Sequence, residues 1–118
     1  MLLKVLRTKL HRARVTQADI DYVGSIAIDP DLYEAVGMVP GENVLVADLA
    51  NGNRFETYVL AGARGTGQVC VNGAAARLVR PGDHVIVMSW AYVTPEEAPG
   101  LKPRIALVDE NNRVARML

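Results

Sequence analysis

One pattern occurs twice in this chain and restricts its possible folds more than any other feature. Val39-Pro40-Gly41-Glu42-Asn43-Val44-Leu45-Val46 resembles Arg80-Pro81-Gly82-Asp83-His84-Val85-Ile86-Val87, and each copy follows a segment expected to form a short helix. A helix, a Pro-Gly-acid turn and an apolar strand, repeated, predict two similar halves wrapped into one closed barrel with pseudo-twofold symmetry. Closing the sheet removes edges that would otherwise recruit further strands. A length of 118 residues, 50% of them apolar, suffices for one such domain, residues 1–118, and not for two.

The local patterns agree with a mostly β fold carrying short helices. Asn43–Leu49, Val85–Val93 and Arg104–Asp109 are rich in Val, Ile and Leu and are closed by turn residues, so they read as strands. Asn51-Gly52 lies between Val44-Leu45-Val46 and Phe55–Leu60 and predicts a tight hairpin in which both turn residues take positive φ. A second hairpin is expected at Asn111-Asn112. The best helix is Pro30–Val36, with Asp29 as N-cap, Pro30 at the first helical position and Gly37 as the stop. Another helical turn is expected to start at Asn72 and cover Gly73–Arg77.

Composition excludes several function classes. Thirteen basic residues balance thirteen acidic ones, so nothing favours a nucleic acid or an acidic membrane, and a small-molecule partner is expected. Leu2 and Leu3 are followed at once by Lys4, Arg7, Lys9, His11, Arg12 and Arg14, which leaves no apolar signal-peptide core. No stretch approaches the roughly 18 apolar residues of a membrane span, and a cytoplasmic location is expected. Cys70 is the only cysteine, which rules out an internal disulfide; Cys70 and Trp90 read as core residues. No Ser-His-Asp order, metal-ligand spacing or phosphate loop competes for the chemistry, and no metal is expected.

Taken alone, Tyr22-Val23-Gly24-Ser25 is an ordinary loop sequence. Its surroundings change that reading. Lys9-Leu10-His11-Arg12 with Val15-Thr16, Ala18-Asp19, Tyr22-Val23-Gly24-Ser25, Ala27-Ile28-Asp29, Asn51-Gly52, Arg54, Thr57-Tyr58, Arg64-Gly65 and Asn72-Gly73-Ala74-Ala75-Ala76 together resemble the aspartate 1-decarboxylase family in order and spacing. The resemblance runs from about Leu3 to Val108. It departs from the common pattern at Ala63, where many relatives have an acid, and at Arg77, where a histidine often ends the run.

This resemblance implies a double-psi β-barrel, assembled as a homotetramer with active sites between subunits. It implies a proenzyme that cleaves itself at Gly24-Ser25 into a β chain, 1–24, and an α chain, 25–118. Ser25 would become a pyruvoyl group, which forms a Schiff base with an amine and serves as the electron sink for decarboxylation of L-aspartate to β-alanine, a step in the supply of pantothenate. The residues fit such chemistry. Gly24 has no Cβ to obstruct attack by the Ser25 hydroxyl on the preceding carbonyl.

Aspartate needs a cationic anchor, and Lys9 and Arg54 are the candidates on family positions, although surface solvation is their ordinary use. Arg54, Glu56 and Tyr58 share one face of a strand, with Thr57 on the other. By resemblance Tyr58 is the proton donor, and Thr57 serves backbone processing and substrate contact. Asn72-Gly73-Ala74-Ala75 would open a helical turn and offer N–H groups to an anion; a plain Asn-capped helix is the alternative. His11 shares a strand face with Lys9, and His84 has no assigned role. The competing reading of the whole chain is an uncleaved double-psi barrel that acts as a binding or interaction module.

Overall fold

The computed structural model describes all 118 residues. Nine strands carry the fold: β1 (Leu3–Arg14), β2 (Gln17–Asp19), β3 (Ser25–Ile28), β4 (Asn43–Asp48), β5 (Arg54–Ala61), β6 (Val69–Asn72), β7 (His84–Val93), β8 (Arg104–Val108) and β9 (Val114–Met117). Helix α1 (Pro30–Val36) is capped as its sequence demands. Asp29 accepts from the Asp31 N–H, and Gly37 stops the helix at φ 83°. A 3-10 helix covers Gly73–Leu78 and a shorter one Ala98–Gly100. No helix is long and apolar enough to cross a membrane.

The strands form one sheet in the order β2-β6-β3-β5-β4-β7-β1-β8-β9. The two copies of the repeated pattern lie side by side, because β4 pairs antiparallel with β7 in the register Leu45–Met88, Val46–Val87 and Ala47–Ile86. Val46 and Val87 are equivalent residues of the two copies. Their pairing puts a local twofold between them, and the expected internal symmetry is realised there. Strand β1 is hydrogen-bonded on both sides, antiparallel to β7 and parallel to β8. Val15 and Thr16 then carry the chain across to β2 at the far edge, with Thr16 N donating to Val69 O at 2.8 Å, and this wraps the sheet into a barrel. The interior is a cluster of 19 buried residues including Leu10, Val15, Ile26, Ile28, Val44, Val46, Val59, Val71, Val85 and Val87.

Four details differ from the sequence expectations. The β4–β5 connection is longer than a two-residue turn: Gly52 has φ 75°, but Asn51 stays at negative φ and spends its side chain on Asn53 N and Leu78 O. Ser25 opens strand β3 rather than lying in a loop, and β6 was hidden by its shortness. Trp90 is half-buried on the outer face, where Lys4 Nζ sits 5.1 Å from its ring centroid, so it is not a core residue. In the β8–β9 hairpin only Asn112 takes positive φ, at 55°, and its buried amide donates to Arg14 O and Gly67 O.

Candidate active site

The register of the short strands brings several candidate residues into one row. Asn72 on β6 is paired with Asp19 on β2 and with Ser25 on β3. On the other side of β3, Ile26 is level with Val59 of β5 in a parallel ladder, so the preceding residues, Ser25 and Tyr58, also come level. Paired residues of a sheet point to the same face. Ser25 is fully buried, Asn72 nearly so, and Tyr58 is 37% exposed at the open end of the row.

Asn72 does not behave as the helix cap its position suggests. It precedes the 3-10 helix but makes no side-chain bond to the helix N–H groups. Its Nδ2 instead donates to Ser25 Oγ at 3.0 Å, and its Oδ1 accepts from Cys70 Sγ at 3.2 Å. Ser25 Oγ in turn donates to Val23 O at 3.3 Å. The hydroxyl of Ser25 is therefore held from both sides in a place that water does not reach.

The glycines divide the work differently from expectation. A Cβ on Gly24 would meet only Asn72 O, at 4.0 Å, so Gly24 has room for a side chain. The tight position is Gly73. Its φ is 77°, and a Cβ there would fall 2.6 Å from Gly24 Cα and 2.9 Å from Gly24 N. Gly73 thus lets the backbone of the 3-10 helix press directly on the residue before Ser25. The segment upstream of that contact is exposed at Ile20, Tyr22 and Val23.

A buried serine whose hydroxyl is oriented by an amide, beside a backbone clamp of two glycines, is the geometry around Gly24-Ser25. The sequence around it matches the aspartate decarboxylase family model over residues 1–115. The chain belongs to the aspartate decarboxylase family. It is 54% identical to the aspartate 1-decarboxylase of Corynebacterium efficiens over 117 residues, 99% of this chain and 86% of that protein. It is 52% identical to the enzyme of that name from Geobacillus sp. strain WCH70, over 100% of this chain and 93% of the relative, and 51% identical to that of Caldicellulosiruptor saccharolyticus, over 99% and 91%.

Within a single chain of this aspartate decarboxylase family member, the two cationic candidates stand apart from Ser25. Lys9 lies on β1, four strand steps from β3 and about 19 Å along the curved sheet. Arg54 shares its strand face with Glu56 and Tyr58 as expected, but is about 13 Å from Tyr58 along β5. Neither forms an ion pair with another residue of the chain. Lys9, Met88, Leu45 and Glu56 are successive register partners across the outer face, and His11, Ile86, Ala47 and Arg54 form the next row.

The remaining candidates fall on either side. Thr57 points to the opposite face from Tyr58, with Phe55 and Val59. Ala74 is exposed and Ala75 half-buried at the start of the 3-10 helix. His11 Nδ1 is buried without a partner, and burial followed by the charges of Lys9 and Arg12 pushes its pKa down, so the ring is neutral at pH 7. His84 pairs with Glu110 at 2.9 Å, away from this row. Cys70 is buried as the sequence predicts, and its bond to Asn72 is the feature that was not foreseen; its place two residues before Asn72, on the same strand face, was the available signal. No three His, Cys, Asp or Glu side chains cluster as a metal site would require.

Proposed function

We propose that this chain is a proenzyme that cleaves itself between Gly24 and Ser25 and then decarboxylates L-aspartate to β-alanine and CO2. The observation that carries the reading is the Ser25 hydroxyl, buried and held by Asn72 at 3.0 Å next to the Gly24–Gly73 contact. Membership of the aspartate decarboxylase family supports the substrate.

In the first step Ser25 Oγ bonds to the Gly24 carbonyl carbon, the peptide C–N bond breaks, and the Ser25 nitrogen takes up the hydroxyl proton. Loss of the Ser25 Cα proton then breaks the Cβ–O bond and releases the Gly24 carboxylate. The dehydroalanyl residue left behind takes up water and loses ammonia, which leaves a pyruvoyl group at the head of the chain 25–118. Asn72 Nδ2 remains a suitable donor as far as the ester, because the ester oxygen accepts a hydrogen bond as the hydroxyl did. Displacement of the freed, exposed segment ahead of Ser25 opens the buried row to a substrate.

The pyruvoyl group supplies an electron sink for the bond to the departing carboxylate. The chain's own residues bind and protonate. Tyr58, level with Ser25 and partly exposed, is the proton donor to the carbon that loses CO2. By the family resemblance Thr57 serves the processing step and substrate contact, although its side chain projects from the opposite face of β5 to Tyr58; Asn72, Gly73, Ala74 and Ala75 line the substrate's other side.

The substrate's two carboxylates need cations, and the cavity of about 320 Å³ beside the row, with Gln17, Asp19 and Asn72 on its wall, contains none. Lys9 and Arg54 have free charges on an outer face that also exposes parts of Leu45, Ile86 and Met88. A double-psi barrel assembled as a homotetramer, with that face of one subunit against the Ser25 row of another, supplies both anchors. Arg54 grips a carboxylate with two parallel bonds and Lys9 adds a point charge. The product fits a cytoplasmic role in pantothenate supply.

The test is an intact-mass spectrum of the purified protein under denaturing conditions. Fragments Met1–Gly24 and Ser25–Leu118 are expected, the larger one ammonia lighter than a serine-terminated chain. An intact chain after prolonged warming, with no CO2 released from aspartate, favours an uncleaved binding barrel instead.

A further inference from the structure

The Asn72 amide has two chemically different ends, and which of them meets Ser25 decides where the serine proton points. With Oδ1 toward Ser25, the hydroxyl would donate to the amide and aim its proton at β6. With Nδ2 toward Ser25, Oγ accepts from the amide and sends its proton to Val23 O, as it does here at 3.3 Å. The neighbour that distinguishes the two ends is Cys70. Its thiol is a donor and only a weak acceptor, so it selects Oδ1 and leaves Nδ2 for Ser25.

We propose that Cys70 is a positioning residue for self-cleavage, holding the Asn72 amide in the one orientation that donates to Ser25 Oγ. The inference rests on the self-cleavage reading given above and deepens it. Cys70 and Asn72 are two residues apart on β6 and so project to one face, opposite Ala27 and Ser25 of β3. Cys70 is 4% exposed, Asn72 5% and Ser25 0%, so the three side chains bond to one another rather than to solvent, although Cys70 and Asn72 also form part of the wall of the cavity of about 320 Å³. The amide has no competing duty as a helix cap. Burial pushes the Cys70 thiol up, with Asp19 adding to it, which keeps the S–H donor intact at neutral pH.

The experiment follows the first-order appearance of the Ser25–Leu118 fragment from full-length protein by intact mass. Wild type is compared with Cys70→Ser, Cys70→Ala and Cys70→Val, and with each of Asn72→Ala and the Asn72→Ala/Cys70→Ala pair. Loss of one buried hydrogen bond is expected to slow cleavage about three- to tenfold in Cys70→Ala and Cys70→Val. Cys70→Ser, which keeps a donor but is smaller, is expected to restore the rate to within about threefold of wild type. In the Asn72→Ala background the loss of the thiol is expected to change nothing further.

A packing role gives the opposite order, with Val cleaving like wild type and Ser like Ala, and would overturn the proposal. So would equal rates in all the Cys70 variants, or an undiminished effect of Cys70→Ala when Asn72 is already gone. Should Cys70→Ala fold poorly by circular dichroism, the Ser against Val comparison alone decides. Wild type that never cleaves removes the self-cleavage reading and this inference with it, whereas wild type that cleaves beside unaffected variants removes this inference only.

Discussion

Gly73 lies so close to Gly24 that a Cβ on Gly73 would fall 2.6 Å from the Gly24 α-carbon. The relationship is not reciprocal, since a Cβ on Gly24 meets nothing nearer than Asn72 O at 4.0 Å. Two substitutions of the same chemical size therefore have different effects. Gly73→Ala adds strain at a φ of 77° and a backbone overlap, and is expected to cost about 1–3 kcal/mol and to slow cleavage at least tenfold. Gly24→Ala is expected to fold with a stability within about 0.5 kcal/mol of wild type. Thermal unfolding of the two uncleaved proteins, with fragment analysis, checks both.

Tyr58 lies level with Ser25 but outside the Cys70–Asn72–Ser25 chain of hydrogen bonds. Its removal as an acid is expected to separate the two stages of the reaction. Tyr58→Phe should yield the normal fragments but lose roughly 10²-fold or more in kcat for aspartate. Fragment yield and CO2 release measured on one preparation provide the check.

Arg54 is free of ion pairs and far along β5 from Tyr58, so its effect is expected in binding. Arg54→Ala should raise KM for aspartate by about tenfold to a hundredfold with cleavage retained, the loss expected for a charge-assisted bond. Arg54→Lys should recover only part of this, because a point charge cannot replace two parallel bonds. Steady-state kinetics on the processed protein distinguish the three forms.

Asp48 gives a pH signature unconnected with the site. It is 2% exposed, and burial together with the neighbouring Asp83 carboxyl pushes its pKa up to about 6. Between the unfolded value near 4 and this one, the folded chain holds a proton that the unfolded chain has released. Stability from this group is therefore lost as pH rises through that window. Asp48→Asn keeps an oxygen for the Ala50 N–H and is expected to stabilise the protein by about 1–3 kcal/mol at pH 7 and hardly at all at pH 4. Urea unfolding at the two pH values checks the sign.

The sequence made the long elements legible and left the short ones dark. The repeated Pro-Gly-acid pattern foresaw β4 and β7 and their symmetry, because each carries enough alternating apolar residues to mark a strand. Strands β3 and β6 have only four residues each, and although Ile26 and Ile28, like Val69 and Val71, alternate, two repeats are too few to mark a strand. Their pairing is what juxtaposes Asn72 and Ser25, so the heart of the candidate site came from the family resemblance. The clamp at Gly73 was similarly out of reach, since a glycine's neighbour across space is not written in its neighbours along the chain. Trp90 was misjudged for a related reason: an apolar strand shows which residues alternate, not which of its faces meets solvent.

Strand β1 is locked between β7 and β8, while everything after β2 hangs on a connection that passes through Gly24. A break there leaves a short peptide threaded through the middle of a longer one, held by backbone bonds along both of its sides. Such a molecule survives the cut as one body but has lost the tether that assembled it. Once melted, its two pieces must find each other from solution, so recovery becomes bimolecular and dependent on dilution, whereas the uncut precursor renatures alone. If the chain cuts itself as proposed, it has one opportunity to build its barrel, and that opportunity precedes its chemistry.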